Sequence, residues 1–153
     1  MMARYVAAAA AVLLTSTPPA VAQDNGAAAC PFERGTYALA EGGKASLQLR
    51  PFDSTVGIAG TMTTPSGVEI SLTISTSNGY ATSYADMDAG THEITSIALA
   101  FTAEMHSARF SAGDPAPEYL IFPGAGFEAY MAQRAETDQI DIPDGAWQLA
   151  GCN

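Results

Sequence analysis

The chain has 153 residues, with 16 Asp and Glu against 6 Lys and Arg, and a formal net charge of −10 at pH 7. This acidity repels phosphate backbones and anionic lipid, so we predict no binding to nucleic acid. The length suits one domain with a hydrophobic core and is too small for two. A charged content of only 14% beside 14 glycines is typical of an extracellular β protein.

The first residues have the pattern of a secretory signal peptide. Arg4 supplies a positive charge, residues 5–14 are uncharged and mostly apolar, and Ala20-Val21-Ala22 has the small residues that signal peptidase recognises. The apolar run is too short to span a bilayer and no later run is longer, so we predict no membrane span. We therefore expect a signal peptide over residues 1–22, a flexible spacer over 23–29 and one β domain over 30–153.

A lipoprotein signal is the alternative, since Ala27-Ala28-Ala29-Cys30 resembles a site of cysteine acylation. Such a signal requires the cysteine directly after the apolar region, whereas Pro18-Pro19 and polar residues at 23–25 intervene here. Acylation would also leave Cys152 without a partner. The sequence therefore favours a periplasmic or secreted protein.

Cys30 and Cys152 are the two cysteines of the chain and bracket the predicted domain. In an oxidising compartment two such cysteines usually pair, and closing so long a loop restricts the unfolded chain by about 5 kcal/mol. The C-x-x-C spacing of a redox or metal pair is absent. We predict a Cys30–Cys152 disulfide that brings both ends of the domain together, as neighbouring strands of a closed barrel or sandwich would.

Beyond Cys30 the apolar residues alternate with a period of two, which predicts antiparallel strands. The alternation is clearest over residues 68–75, and the hairpin signals Pro65-Ser66-Gly67 and Asn78-Gly79 flank it. Further strands are predicted over residues 45–50, 56–62, 80–84, 97–101, 105–110, 119–122 and 147–152. We predict an all-β, mainly antiparallel fold, a small up-and-down barrel or sandwich of about eight strands.

One segment has helical spacing instead. Large side chains recur at intervals of three and four residues among alanines, which predicts a short helix near residues 127–135. A helix of this length is stable only when it is packed, so we expect it to close one end of the barrel. The spaced residues are Phe127, Tyr130, Met131 and Arg134.

The segment before this helix fits the dinucleotide-binding fingerprint, with Gly124-Ala125-Gly126 followed by Ala129. No βαβ pattern surrounds it, and Glu128 would place a negative charge where the pyrophosphate binds. We interpret the glycines as a sharp turn from a strand into a helix, and we predict no cofactor.

The segment Asp86-x-Asp88-x-Gly90-x-His92-Glu93 is the densest group of potential metal ligands. Carboxylates two residues apart before a glycine are typical of half a calcium loop, but Ile97 stands where the closing glutamate would be. The second histidine of a zinc-protease helix is also absent. We interpret the segment as a solvated acidic turn between strands. The alternative is a calcium or zinc site with Asp86, Asp88 and His92 as ligands.

Aromatic residues gather around the glycine turn and supply the candidate binding site. If the helix caps a barrel, their rings line its mouth, where barrels bind small ligands. Packing of the rings into the core is the competing interpretation. The candidate binding residues are Tyr119, Phe122, Phe127 and Tyr130, with Met131 beside them.

These patterns leave three hypotheses for function. The first is a non-enzymatic exported module that binds a small apolar ligand or a protein partner. The alternative is an extracytoplasmic hydrolase that uses His92 or His106 with nearby carboxylates, although no G-x-S-x-G motif accompanies them and Ser107 would face the opposite side of a strand from His106. A structural protein whose acidic surface keeps it in solution is the third.

Overall fold

A computed structural model describes residues 29–52, 57–77, 82–109 and 111–153. The predicted signal peptide, most of the predicted spacer and the Asn78-Gly79 turn lie outside these residues. Within them, eight antiparallel strands join in chain order into one closed barrel with one short α-helix. The all-β prediction is confirmed, and the architecture is a barrel rather than a sandwich.

Each strand pairs with the next, and the last returns to the first. Neighbouring antiparallel strands therefore build the wall in chain order, as the period of two predicts, although the β6–β7 and β7–β8 connections are longer than hairpin turns. The strands are β1 (Gly35–Leu39), β2 (Ser46–Pro51), β3 (Ile58–Thr63), β4 (Glu69–Thr76), β5 (Ser83–Ala89), β6 (His92–Phe101), β7 (Tyr119–Ile121) and β8 (Ala146–Cys152), and α1 (Ala125–Gln133) lies between β7 and β8.

The inner face of the barrel is packed with side chains of unequal size. On β4, Ile70, Leu72 and Ile74 are buried and alternate with more exposed polar neighbours. On β5 and β6 the buried positions are mostly small, and four of them are alanines: Ala85, Ala89, Ala98 and Ala100. Small residues on one wall leave room for large ones on the other, as close packing requires. The largest buried side chains are Trp147, Tyr37, Phe32 and Phe122.

The two ends of the domain are joined by the predicted Cys30–Cys152 disulfide, whose Cα atoms lie 5.7 Å apart. Gly35 pairs with Cys152 in the β1–β8 ladder, so the bond lies beside an existing strand pairing. The prediction that the ends lie side by side is confirmed. A disulfide of this kind is typical of an oxidising compartment outside the cytoplasm.

The acidic segment around Gly90 differs from the predicted turn. Asp86 and Asp88 lie within β5 and His92 begins β6, so only Gly90 and Thr91 form the turn. Gly90 has a φ of 78°, a left-handed conformation that favours glycine. The bounds of these strands could not be predicted from the sequence, because the inward positions of β5 include alanines, which contrast only weakly with their polar neighbours.

The strand predicted over residues 105–110 is wrong for the described part, residues 105–109. The N–H of Thr102 bonds to the carbonyl of His106, and Met105 takes a φ of 62° in this tight turn. A left-handed residue interrupts the pleat. Only a single bridge, between Phe101 and Ser107, follows the turn.

The barrel wall is incomplete at one seam. β6 pairs with β7 only through Leu99, Ala100 and Phe101. Within the described residues, the first seven residues of β6 have no strand partner on that side, and α1 packs against β6.

No helix in the described ranges has the length and apolar character needed to cross a membrane.

Candidate functional site

The site is built on α1, which starts directly after the shortest strand. Gly124 precedes the helix with a φ of 75°, and the N–H of Ala125 donates to the carbonyl of Phe122 at 3.2 Å. A left-handed φ at this position reverses the chain within two residues, which only glycine does without steric cost. The interpretation of Gly124 as a strand-to-helix turn is confirmed.

The packed face of α1 consists of small residues and one glutamine. Ala125, Ala129 and Gln133 are 1% exposed or less and recur every four residues, so they form one stripe along the helix. Methyl side chains let the helix backbone approach the barrel closely. The helix begins two residues earlier than predicted, and the stripe that packs is not the one of large residues that the sequence indicated.

A strap formed by residues 139–144 lies along α1 and is held to it at both ends. The N–H of Gly126 donates to Oδ1 of Asp144 at 2.7 Å, and the N–H of Ile140 donates to Oε1 of Gln133 at 2.7 Å. A Cβ at position 126 would overlap the carbonyl oxygen of Ile142, so this glycine is required by close approach. The second glycine of the fingerprint therefore serves packing.

The Asp144 carboxylate lies at the N-terminal end of α1. Free N–H groups and the helix dipole favour a negative charge there. In a dinucleotide-binding fold the same position receives a phosphate. Here a side chain of the same chain, held by the Gly126 N–H, takes that position.

The outer face of α1 is apolar and exposed. Phe127 is 59% exposed, Tyr130 56% and Met131 38%, and their spacing of three and four residues places them on one side of the helix. Since a large side chain has an area of about 200 Å², the three together leave roughly 300 Å² in contact with solvent. A patch of this size on a single-domain protein is often functional. We call these three residues the outer patch.

Acidic residues predominate in the chain segment that carries the outer patch. Between residues 122 and 153 the chain carries Glu128, Glu136, Asp138, Asp141 and Asp144 against Arg134 as the only Lys or Arg. Within the described ranges, Glu136 is the only one of these acids in an ion pair, with His92. This segment therefore carries a net negative charge, which attracts cations.

A shallow depression of about 300 Å³ separates α1 from the strap. Gly126 and Tyr130 form its helix side, and residues 139–142 of the strap form the other. Both walls are fixed by the hydrogen bonds that hold the strap to α1. The exposed ring of Tyr130 connects the depression with the outer patch.

The structure separates the four predicted binding residues into three places. Phe122 is 1% exposed and belongs to the core, and Tyr119 is half-buried on β7 near Gln148, whose Nε2 lies 3.5 Å from its hydroxyl. Phe127 and Tyr130 lie together on the outer face of α1. The strap was not recognised in the sequence, because residues 139–144 show no periodicity.

The three predicted metal ligands line one surface depression at the β5–β6 turn, of about 380 Å³. Asp86 accepts a hydrogen bond from the Thr95 hydroxyl at 2.7 Å, and Nε2 of His92 lies 2.7 Å from Glu136. In the part of the chain that the structure describes, no three His, Cys, Asp or Glu side chains converge closely enough to hold a metal ion. The metal site with Asp86, Asp88 and His92 stays a prediction.

The two histidines have different surroundings. His92 forms an imidazole–carboxylate pair with Glu136, and the Thr91 hydroxyl donates to the same carboxylate oxygen at 3.5 Å. His106 lies exposed in the turn after β6. Nearby, the hydrogen bond from the Thr102 hydroxyl, at 2.9 Å, holds the pKa of Glu104 below its ordinary value.

Comparisons with known protein families, with curated proteins and with solved structures find no match to this chain. No relative therefore supplies a role for any of these residues. The function is inferred from the geometry and the charge of α1, the strap and the β5–β6 turn.

Proposed function

We propose that the protein is an exported, non-enzymatic binding module that contacts a protein partner through the outer patch. The observation that carries this proposal is the exposure of Phe127, Tyr130 and Met131 on a helix whose opposite face is already packed. These side chains contribute little to the fold, and their contact with water is unfavourable. A partner that covers them removes that contact.

The shape of the patch favours a protein over a small apolar ligand. Small-molecule sites are concave and enclose most of the ligand, whereas the patch is the convex side of a helix. Helices with exposed apolar residues at this spacing are typical of helix-in-groove recognition. The inside of the barrel is filled by Trp147, Tyr37 and their neighbours.

The expected affinity is moderate. Burying roughly 300 Å² of apolar surface at about 25 cal/mol per Å² contributes on the order of 7 kcal/mol. Association costs about 4–15 kcal/mol in lost freedom, so the patch alone does not produce a tight complex. The partner must add contacts around the patch, and the acidic residues of the same segment are where we expect them to form.

Site-specific photo-crosslinking in the compartment to which the protein is exported tests this proposal. A photoreactive phenylalanine at position 127 should capture a defined partner, and one at position 68 should not. Val68 is the matched control, because it is 40% exposed and lies in the β3–β4 turn. Phe127→Ser with Tyr130→Ser should reduce capture from position 131 at least tenfold. Equal capture from positions 127 and 68 would contradict the proposal.

The His92–Glu136 pair supports a hydrolase as the second candidate. The carboxylate orients the imidazole beside the depression at the β5–β6 turn, which is the base half of a catalytic arrangement. Hydrolysis of an activated ester by the purified protein, lost in His92→Gln and kept in His106→Gln, would support it. Equal rates for His92→Gln and the wild type would exclude this pair as a catalytic base.

A further inference from the structure

We infer that the depression between α1 and the strap binds a lysine or arginine side chain of the partner. The inference rests on the proposed function, since the same partner would cover the adjoining outer patch. The walls are Gly126 and Tyr130 of α1 and residues 139–142 of the strap. At about 300 Å³ the space lies at the lower end of the range for ligand pockets, and it suits one long side chain.

The Tyr130 ring supplies the apolar wall of this depression. The residue is 56% exposed, so its ring is accessible from the depression and from the outer patch. The aliphatic stem of a lysine or arginine packs on such a ring while its charged end stays hydrated. A cation over the ring face also gains from the quadrupole of the aromatic system.

Asp141 supplies the charge. Asp141 lines the depression and is exposed, and among the described residues it has no ion-pair partner. Arg134, the single Lys or Arg between residues 122 and 153, makes no ion pair among the described residues. The depression is therefore not neutralised by its own chain. The surrounding acids disfavour an anionic occupant and favour a cation.

The depression is preformed, which reduces the entropy lost on binding. Hydrogen bonds from Gly126 to Asp144 and from Ile140 to Gln133 hold the strap on both sides of Asp141. Gln139 adds a third, from its Nε2 to the carbonyl of Gln133 at 3.2 Å. A strap backbone that is held on both sides of Asp141 keeps this acidic residue and Tyr130 in one depression, which favours a cation next to an apolar neighbour in the partner.

Two pairs of tripeptides test the inference on the full mature chain. Acetyl-Leu-Arg-Leu-amide is compared with acetyl-Leu-citrulline-Leu-amide, which has the same shape without the charge, and the lysine and acetyl-lysine peptides form a second pair. Amide chemical shifts of the labelled protein are followed to millimolar peptide. The cationic peptides should shift Gly126, Tyr130 and residues 139–142, and should bind about three- to tenfold more tightly than the neutral ones.

Variants locate the effect. Asp141→Asn should remove the preference for the charged peptides, whereas Asp138→Asn, an exposed acid outside the depression, should keep it. Tyr130→Ser should weaken both peptides of each pair. Equal affinity for charged and neutral peptides, shifts confined to other surfaces, or no shifts would overturn the inference. If a partner is captured through position 127 equally well with and without Asp141→Asn, the inference is overturned and the proposed function is left intact.

Discussion

The barrel closes in two places, and the two closures are built differently. At the β1–β8 seam, five residue pairs from Gly35–Cys152 to Leu39–Trp147 join the strands, and the Cys30–Cys152 disulfide lies beside them. At the β6 seam, β7 supplies three residue pairs, and α1 packs against β6. We call the first the strand closure, and it depends on backbone hydrogen bonds and one covalent bond. We call the second the helix closure, and it combines three strand pairs with the packing of α1.

This difference explains the exposure of the outer patch. A strand pair needs only backbone groups in register, so its large apolar side chains can turn inward. Here the helix packs closely through small residues, with Ala125 and Ala129 inside and Phe127 and Tyr130 outside. The second closure therefore presents large apolar residues on the surface, where a partner can use them.

Among changes at the two closures, removing the disulfide should have the largest effect on stability. Cys30→Ser with Cys152→Ser should lower the free energy of unfolding by about 2–5 kcal/mol, because the unfolded chain regains the freedom of a long loop. The β1–β8 pairing should remain, since its hydrogen bonds do not involve sulfur. Urea unfolding measures the loss, and circular dichroism at low temperature checks the strands. Free thiols in the wild-type protein, or an unchanged unfolding midpoint, would contradict this expectation.

Gly126→Ala tests the helix closure. The added methyl group overlaps the Ile142 carbonyl oxygen and lies about 2.9 Å from Oδ2 of Asp144, so the strap must shift. We expect a loss of about 1–3 kcal/mol in the free energy of unfolding, measured in urea. Gly151→Ala in β8 is the matched control, because nothing lies within 4 Å of its added methyl group. A loss at position 151 equal to that at 126 would argue against close helix approach.

Tyr37→Phe tests a buried side chain of β1, one of the two strands of the strand closure. The Tyr37 hydroxyl donates to the Pro117 carbonyl at 3.1 Å, and losing this buried bond should cost about 1–2 kcal/mol in chemical denaturation. Burial raises the pKa of Tyr37 well above its usual range, and the charge of Glu118 adds to the rise.

Because the pKa of Tyr37 is raised, the same variant should also change how the free energy of unfolding depends on pH under alkaline conditions. Tyr37 stays neutral in the folded state, so the stability it contributes is complete below the unfolded pKa of about 10 and falls as the pH rises above it. The phenylalanine variant should lack this part of the alkaline decline. Parallel declines for both proteins above that pH would show that the Tyr37 hydroxyl is not protected by burial.

The smallest stability effect is expected on the outer patch. Phe127→Ser with Tyr130→Ser should change the free energy of unfolding by less than about 0.5 kcal/mol per site, since both side chains are more than half exposed. Leu72→Ala, at a position 2% exposed, should cost about 2–5 kcal/mol in the same urea assay. Comparable losses would mean that the patch packs on the barrel and is unavailable to a partner.

Local patterns in the sequence predicted β8 and, in whole or in part, β2 to β7, whereas no strand was predicted over β1 (Gly35–Leu39). β4 follows the alternation over residues 68–75, although Val68 itself is exposed before the strand begins. The two cysteines alone predicted the pairing of the ends. These features depend on neighbours in the chain or on one covalent bond, so they can be read without knowing the fold.

The helix closure could be predicted only in part. Spacing indicated a helix near residues 127–135, but hydrophobicity assigned its buried face to the large residues. Which face packs depends on how close the wall lies, and that distance is set by β6 and by the strap that crosses Gly126. Asp141 and Tyr130 come from segments eleven residues apart and meet only because Asp144 and Gln133 hold the strap to the helix. The sequence by itself determined most of the strands and the disulfide, whereas tertiary contacts decided which side chains of α1 remain exposed.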